Sequence, residues 1–181
     1  MSGSEPWIQT FSGRVFPLKT FDPGAILIED IAHALGMLCR FNGQCQRFYS
    51  VAEHSVHVSH EVKPDLALLG LMHDTAEAYL GDVPTPLKQD LPAYHEAEEQ
   101  LISLIANKFR FTWPAEGSSE EEELKRADLQ LLVDEKTKIM VMEPKPWFDQ
   151  QIAAKDPDRI QCWAPDEAKN MFLKRFQELM C

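Results

Sequence analysis

From Ile31 onward the apolar residues of this chain recur with a period near 3.6, and only the stretch before it breaks that rhythm. Ile31, Ala34, Leu35 and Leu38 share a helical face behind the acidic pair Glu29-Asp30, which suits a helix N-terminus; they predict a helix ending near Cys39. Ser50-Val51-Ala52-Glu53 has the capping-box form, with Ser at the cap and Glu three positions on, and predicts a second helix over 51–62 that stops at Lys63-Pro64. A third helix is expected over 65–80, ended by Gly81. The two prolines of 82–87 then predict a stiff loop without regular structure.

Tyr94, Ala97, Leu101, Leu104, Ile105 and Lys108 trace a long amphipathic helix, closed by the irregular 112–117. Ser118-Ser119 and four glutamates open another, whose stripe Leu124, Ala127, Leu131, Leu132 and Ile139 carries it to about Met142, before Pro144 and Pro146. A last helix over 165–180 places Ala168, Phe172, Phe176 and Leu179 on one face. Only 7–16 reads as strand, a short hairpin turning at Ser12-Gly13. The expectation is an all-α bundle behind a short N-terminal β-hairpin, one domain over 1–181 with 1–27 as an extension.

Composition changes this picture little: 44% hydrophobic and 26% charged residues, with no apolar run long enough to cross a bilayer. The opening MSGSEPWIQTF lacks the basic and apolar regions of a secretory signal, so a cytoplasmic location is expected. Cys39, Cys45, Cys162 and Cys181 form no C-x-x-C pair and read as reduced thiols. A net charge of −11 opposes binding to a nucleic-acid polymer, whereas a small anion remains possible where lysines and arginines reverse the local field.

In the predicted third helix Leu66, Gly70, His73 and Glu77 follow one stripe, so a polar pair extends an apolar face. Asp74 lies about 100° round from His73, and the two reach one ion only over the edge between them. His54 sits near Val51 and Val58, and Asp128 interrupts the register of Leu124, Ala127 and Leu131. Taken singly, His54 is a hydrogen-bonded core histidine and Asp128 a partly exposed acid. Together with Asp74 and Glu77 they place three carboxylates near one helical core, which is costly unless a cation compensates them. Two imidazoles and two carboxylates suit a first-row divalent ion: manganese, cobalt, nickel, iron or zinc. Such an ion lowers the pKa of its water, and the set points to hydrolysis. His57 and His60 turn progressively away from His54 along their helix, and His33 and His95 read as helix-surface histidines.

His54, His73-Asp74 and Asp128 resemble the H…HD…D signature of the HD-domain phosphohydrolases. Arg40-Phe41, Val51-Ala52-Glu53-His54-Ser55, His73-Asp74-Thr75-Ala76-Glu77, the loop Gly81-Asp82-Val83-Pro84-Thr85-Pro86-Leu87-Lys88 and Lys125-Arg126-Ala127-Asp128 are similar to bacterial 5′-deoxynucleotidases and phage deoxyadenosine triphosphohydrolases. The resemblance covers about 28–134. It implies an all-α bundle with the metal at its centre, held by His54, His73, Asp74 and Asp128. Glu77 would position or activate the attacking water, and Asp82 would hold the sugar or a proton in transit. Arg40, Lys88 and Lys125 are the cations expected on phosphate oxygens, against the alternative of ordinary surface charge.

Phe41 stands where such deoxynucleotidases often carry Trp, and only eighteen residues separate His54 from His73. Both departures bear on the base or sugar pocket, so Phe41 joins the expected substrate contacts. The leading expectation is hydrolysis of a deoxynucleotide mono- or triphosphate; the competing one is an idle member of the fold that senses metal or nucleotide, against which Glu77 argues. The resemblance also implies a homo-oligomer, with the last helix, Trp147 and Trp163 as candidate contacts.

Overall fold

The computed structural model describes residues 5–148 and 152–181; the first residues of the N-terminal extension and part of the loop leading to Trp163 lie outside them. Strands β1 (Trp7–Gln9) and β2 (Val15–Pro17) pair antiparallel, Ile8 opposite Phe16. Gly13 turns the hairpin with φ +84°. The hairpin is tied to the bundle at both ends. At its tip the Ser12 amide and hydroxyl donate to the buried Asp30 carboxylate at 2.7 and 2.8 Å. At its base Phe16 stacks on Tyr79, centroids 4.1 Å apart.

Eight helices follow among the described residues: α1 (Ile28–Met37), α2 (Val51–Glu61), α3 (Ala67–Met72), α4 (Glu77–Leu80), α5 (Thr85–Lys88), α6 (Pro92–Phe109), α7 (Ser119–Ile139) and α8 (Pro165–Met180). The all-α bundle with an N-terminal hairpin is thus present. No described helix is long and apolar enough to cross a membrane. Helix α2 is its axle. Val51, Ala52, Glu53, His54, Ser55, Val56, Val58 and Ser59 are all buried, which a helix reaches only when neighbours cover every side. Those neighbours are α1, α3, α7 and α8. Val51, Ala52 and Val56 join the core shared with α1, α6 and α8, while Val58 and Val62 join a second core with Leu124, Ala127 and Leu131 of α7.

Three expectations need correction. The helix expected over 65–80 is tightened between α3 and α4: the Thr75, Glu77, Ala78 and Tyr79 amides bond three residues back rather than four. The cause is competition for carbonyls, since the Thr75 hydroxyl takes Met72 O at 2.6 Å and His73 Nδ1 takes Gly70 O at 2.9 Å. The proline loop does contain regular structure, the single turn α5, because Pro86 sits where a helix N-terminus needs no amide donor. Trp163 is partly buried against the core beside His57, ring centroids 5.4 Å apart, and does not stand out as an exposed contact.

The capping box at α2 is only half formed. Ser50 Oγ accepts from the Glu53 amide at 3.1 Å, as expected. The Glu53 carboxylate instead reaches across the molecule, where the amides of Gln161, Cys162 and Trp163 donate to it at 2.8, 2.9 and 2.6 Å. It thereby clamps the segment that leads into α8. Glu53→Gln turns an amide nitrogen toward one of these donors and is expected to cost about 2–3 kcal/mol, the scale of an unmade hydrogen bond to a charged group. Thermal denaturation checks this through a drop in Tm of about 2–4 °C per kcal/mol.

Candidate metal centre

His54 comes from α2 and is fully buried, while His73 and Asp74 come from the tightened turn. His54 Nε2 lies 3.3 Å from His73 Nε2 and 3.6 Å from Asp74 Oδ2, and His73 Nε2 lies 3.2 Å from the same oxygen. Each of the three residues offers one ligand atom, all within 4.8 Å of one another. Asp128 arrives from α7 with Oδ1 3.1 Å from His54 Nε2, its side chain 45% exposed. All four residues named from the sequence therefore meet, three in a tight group and Asp128 at its open edge.

The far side of His54 is held by a residue the sequence did not single out. Glu135, fully buried on α7, accepts from His54 Nδ1 at 2.6 Å and from the Tyr49 hydroxyl at 2.9 Å. Its second oxygen accepts from Arg40 Nε at 3.2 Å, and Arg40 Nη1 lies 3.6 Å from Asp74 Oδ2. Glu135 follows Asp128 by two helical turns on the same face, which is the signal that could have found it. Burial alone would push its carboxyl up, but Arg40 and His54 hold it below the ordinary value. It is a carboxylate that can only accept, so the proton on His54 Nδ1 is fixed.

Glu77 opens α4 beneath the cluster. Its Oε1 lies 3.6 Å from Lys88 Nζ, and its buried Oε2 has no partner. Burial, then the charges of Asp74 and Asp82, push its carboxyl well above the usual range against the pull of Lys88. Asp82 is also pushed up by burial and by Asp74. Lys88 bonds Glu98 at 2.7 Å and reaches the site at Glu77, 3.6 Å away. Phe41 tilts against Trp147, centroids 5.9 Å apart, with the Arg40 guanidinium 5.5 Å from its ring. Phe41 and Asn42 both take left-handed backbone, φ 56° and 51°, a strained choice for a phenylalanine. Lys125 is not brought to the cluster. It is 68% exposed and pairs with Glu121 one turn back at 2.8 Å, because three residues along a helix leave it about 60° round from Asp128.

The electrostatics fit a cation. Burial and Arg40 push the His54 imidazole down, yet Glu135 and Asp128 outweigh them and lift it to about 9. Although burial opposes it, His73, His54 and Arg40 hold Asp74 far below the carboxylate range. The Asp128 carboxyl is likewise held low by His54 against burial, an effect that solvent screens at its open edge. The cluster thus draws a positive charge onto itself, and its nitrogen and oxygen donors together with the unpartnered Glu77 oxygen suit a divalent ion.

No protein-family model matches the chain. The Escherichia coli K12 protein YfdR, itself named uncharacterized, is 37% identical over 174 residues, 96% of this chain and 95% of that protein. The chain belongs to the YfdR family. Two relatives over shorter stretches are named 5′-deoxynucleotidase: one from Vibrio atlanticus, 35% identical over 96 residues, 48% of this chain and 41% of its own length, and one from Photobacterium profundum, 42% identical over 53 residues, 25% and 27%. This YfdR-family chain therefore has partial likeness to hydrolases along with a cluster able to hold a metal ion.

Glu77 supplies a test of the electrostatics without any ligand. A carboxyl raised in the fold binds its proton more tightly folded than unfolded, so it withdraws stability as pH climbs above the ordinary glutamate value of 4.5. In metal-free protein Glu77→Gln is expected to raise Tm by several degrees at pH 7.5, the gain shrinking toward pH 4.5. Equal melting at both pH values would exclude the raised carboxyl.

Proposed function

We propose that the protein is an HD-type phosphohydrolase that cleaves the phosphoester of a deoxynucleotide, with one divalent transition metal held by His54, His73, Asp74 and Asp128. The observation that carries this reading is the approach of two imidazole nitrogens and one carboxylate to within 4.8 Å at a half-buried spot. The partial likeness to proteins named 5′-deoxynucleotidase supports the substrate class. When bound, such an ion lowers the pKa of water and supplies a nucleophile near neutral pH.

The remaining work falls to side chains. Arg40, anchored through Nε on Glu135, keeps its terminal nitrogens for phosphate oxygens. Glu77, whose buried oxygen lacks a partner, is the group that orients a water and takes up its proton. Asp82, whose carboxyl is raised, holds the sugar or returns a proton to the leaving oxygen. Phe41 offers its ring to the sugar or base next to Arg40. Lys88 acts through Glu77, and Lys125, paired with Glu121, has no part.

Phosphate or polyphosphate release from deoxynucleoside mono- and triphosphates, with manganese, cobalt, nickel or zinc returned to stripped protein, checks the reading. Release from one class is expected and names the substrate. Asp74→Ala is expected to lose metal and turnover together, whereas Glu77→Gln keeps metal and loses about 10²-fold or more in kcat. A metal-loaded protein that releases nothing from any substrate would be a sensor instead.

A further inference from the structure

Glu135 is a fully buried carboxylate that hydrogen-bonds both His54 of the cluster and the Arg40 guanidinium. It sits on α7 without solvent exposure, and its two oxygens face in different directions. Oε1 takes the His54 Nδ1 proton at 2.6 Å and the Tyr49 hydroxyl at 2.9 Å; Oε2 takes Arg40 Nε at 3.2 Å. Fixing a proton on Nδ1 leaves Nε2 as the nitrogen with a lone pair to give, and Nε2 is the atom 3.1 to 3.6 Å from His73, Asp74 and Asp128. Fixing Arg40 through Nε likewise turns its terminal nitrogens toward the cluster, with Nη1 in ion-pair range of Asp74 Oδ2 at 3.6 Å.

A burial requirement alone does not explain this geometry. An isolated buried carboxylate is costly, and one cation partner with one hydroxyl would offset it. Glu135 instead uses both oxygens on two groups, His54 and Arg40, that come from separate parts of the chain and meet the same cluster. Tyr49, fully buried, adds a third bond that fixes the carboxylate plane. The strained Phe41-Asn42 backbone follows directly after Arg40, so the anchored guanidinium also holds that segment in place.

We infer that Glu135 is a positioning residue, set in place by Tyr49, which selects the ligating nitrogen of His54 and aims Arg40 at the phosphate, so that one buried carboxylate couples the metal end of the site to the anion end. The inference rests on the metal-dependent reading above. Partners of metal-bound histidines commonly contribute about 10- to 100-fold to metal affinity. Glu135→Gln keeps the size of the side chain and one acceptor, and therefore satisfies either His54 or Arg40 but not both.

The test is a titration of metal-stripped protein with cobalt(II), followed by visible absorption, and then of the cobalt-loaded protein with inorganic phosphate. Circular dichroism and Tm report folding for each variant. Glu135→Gln is expected to fold and to weaken cobalt binding, phosphate binding or both by about 10-fold or more. Tyr49→Phe, which removes a single hydroxyl, is expected to weaken cobalt binding by a smaller factor, and it carries the test should Glu135→Gln fail to fold. A folded Glu135→Gln with wild-type affinity for both cobalt and phosphate overturns the role of Glu135, as does unchanged binding in Tyr49→Phe when that variant alone folds. Wild-type protein that binds no cobalt, manganese, nickel or zinc overturns the metal reading itself, and the inference with it.

Discussion

Helix α2 carries a glutamate and a histidine side by side into an interior where neither meets water, and much of the molecule is arranged around compensating them. The cost of leaving either unpaired runs to several kcal/mol, comparable to the whole margin by which a domain is stable. Glu53 is met by three amides from 161–163, which brings in the chain leading to α8. His54 is met by Glu135 of α7 on one ring nitrogen and by the acids of the cluster on the other. The two neighbours, about 100° apart on one helix, therefore draw different parts of the chain onto different faces of it.

The site that results is electrostatically unfinished. Asp74, Asp128, Glu77 and Asp82 crowd one end, and Arg40 and Lys88 are the described cations that touch them. Two of these carboxyls, Glu77 and Asp82, are pushed up, and an imidazole is lifted to about 9. Such shifts clustered at one end of a site are typical of functional sites, where groups are held for their chemistry at some cost in stability. A proton on His54 partly meets the demand of the cluster, and a divalent ion would meet it more completely.

Local backbone follows from the same demand. The tightened turn between α3 and α4 lets His73 and Asp74 face one point, which an unbroken helix would allow only at their shared edge. Gly81, with φ +84°, ends α4 in a conformation that a residue with a Cβ would resist, and sends the chain into the proline-stiffened turn α5. Lys88 at its end then reaches Glu77. Acid, turn and lysine are thus held by short rigid pieces, which suits a site that must hold its geometry before a ligand arrives.

Helix content, most helix boundaries, the Ser50 cap, the hairpin turn and the four residues of the cluster were legible in the sequence. Each rests on spacing within one segment or on a short motif, and local periodicity survives whatever the rest of the chain does. The full grouping of that cluster was an expectation only; its distances come from three segments packing together, α2, the turn between α3 and α4, and α7. Glu135 was not legible: its meaning depends on His54 and Arg40, 81 and 95 residues earlier in the chain. The Glu53 clamp was hidden for the same reason, since a capping box predicts a partner three residues away and the carboxylate found three amides more than a hundred residues on. Lys125 turns to Glu121 instead, for nearness to Asp128 in sequence said nothing of which way the side chain would turn once Glu121 was in reach. The sequence by itself determined which residues form helices and which side chains could offer ligand atoms, because those are properties of short spacings and residue type. Only the tertiary structure decided which buried charges meet, because that pairing is set by which distant segments can pack around α2 without leaving a carboxylate alone.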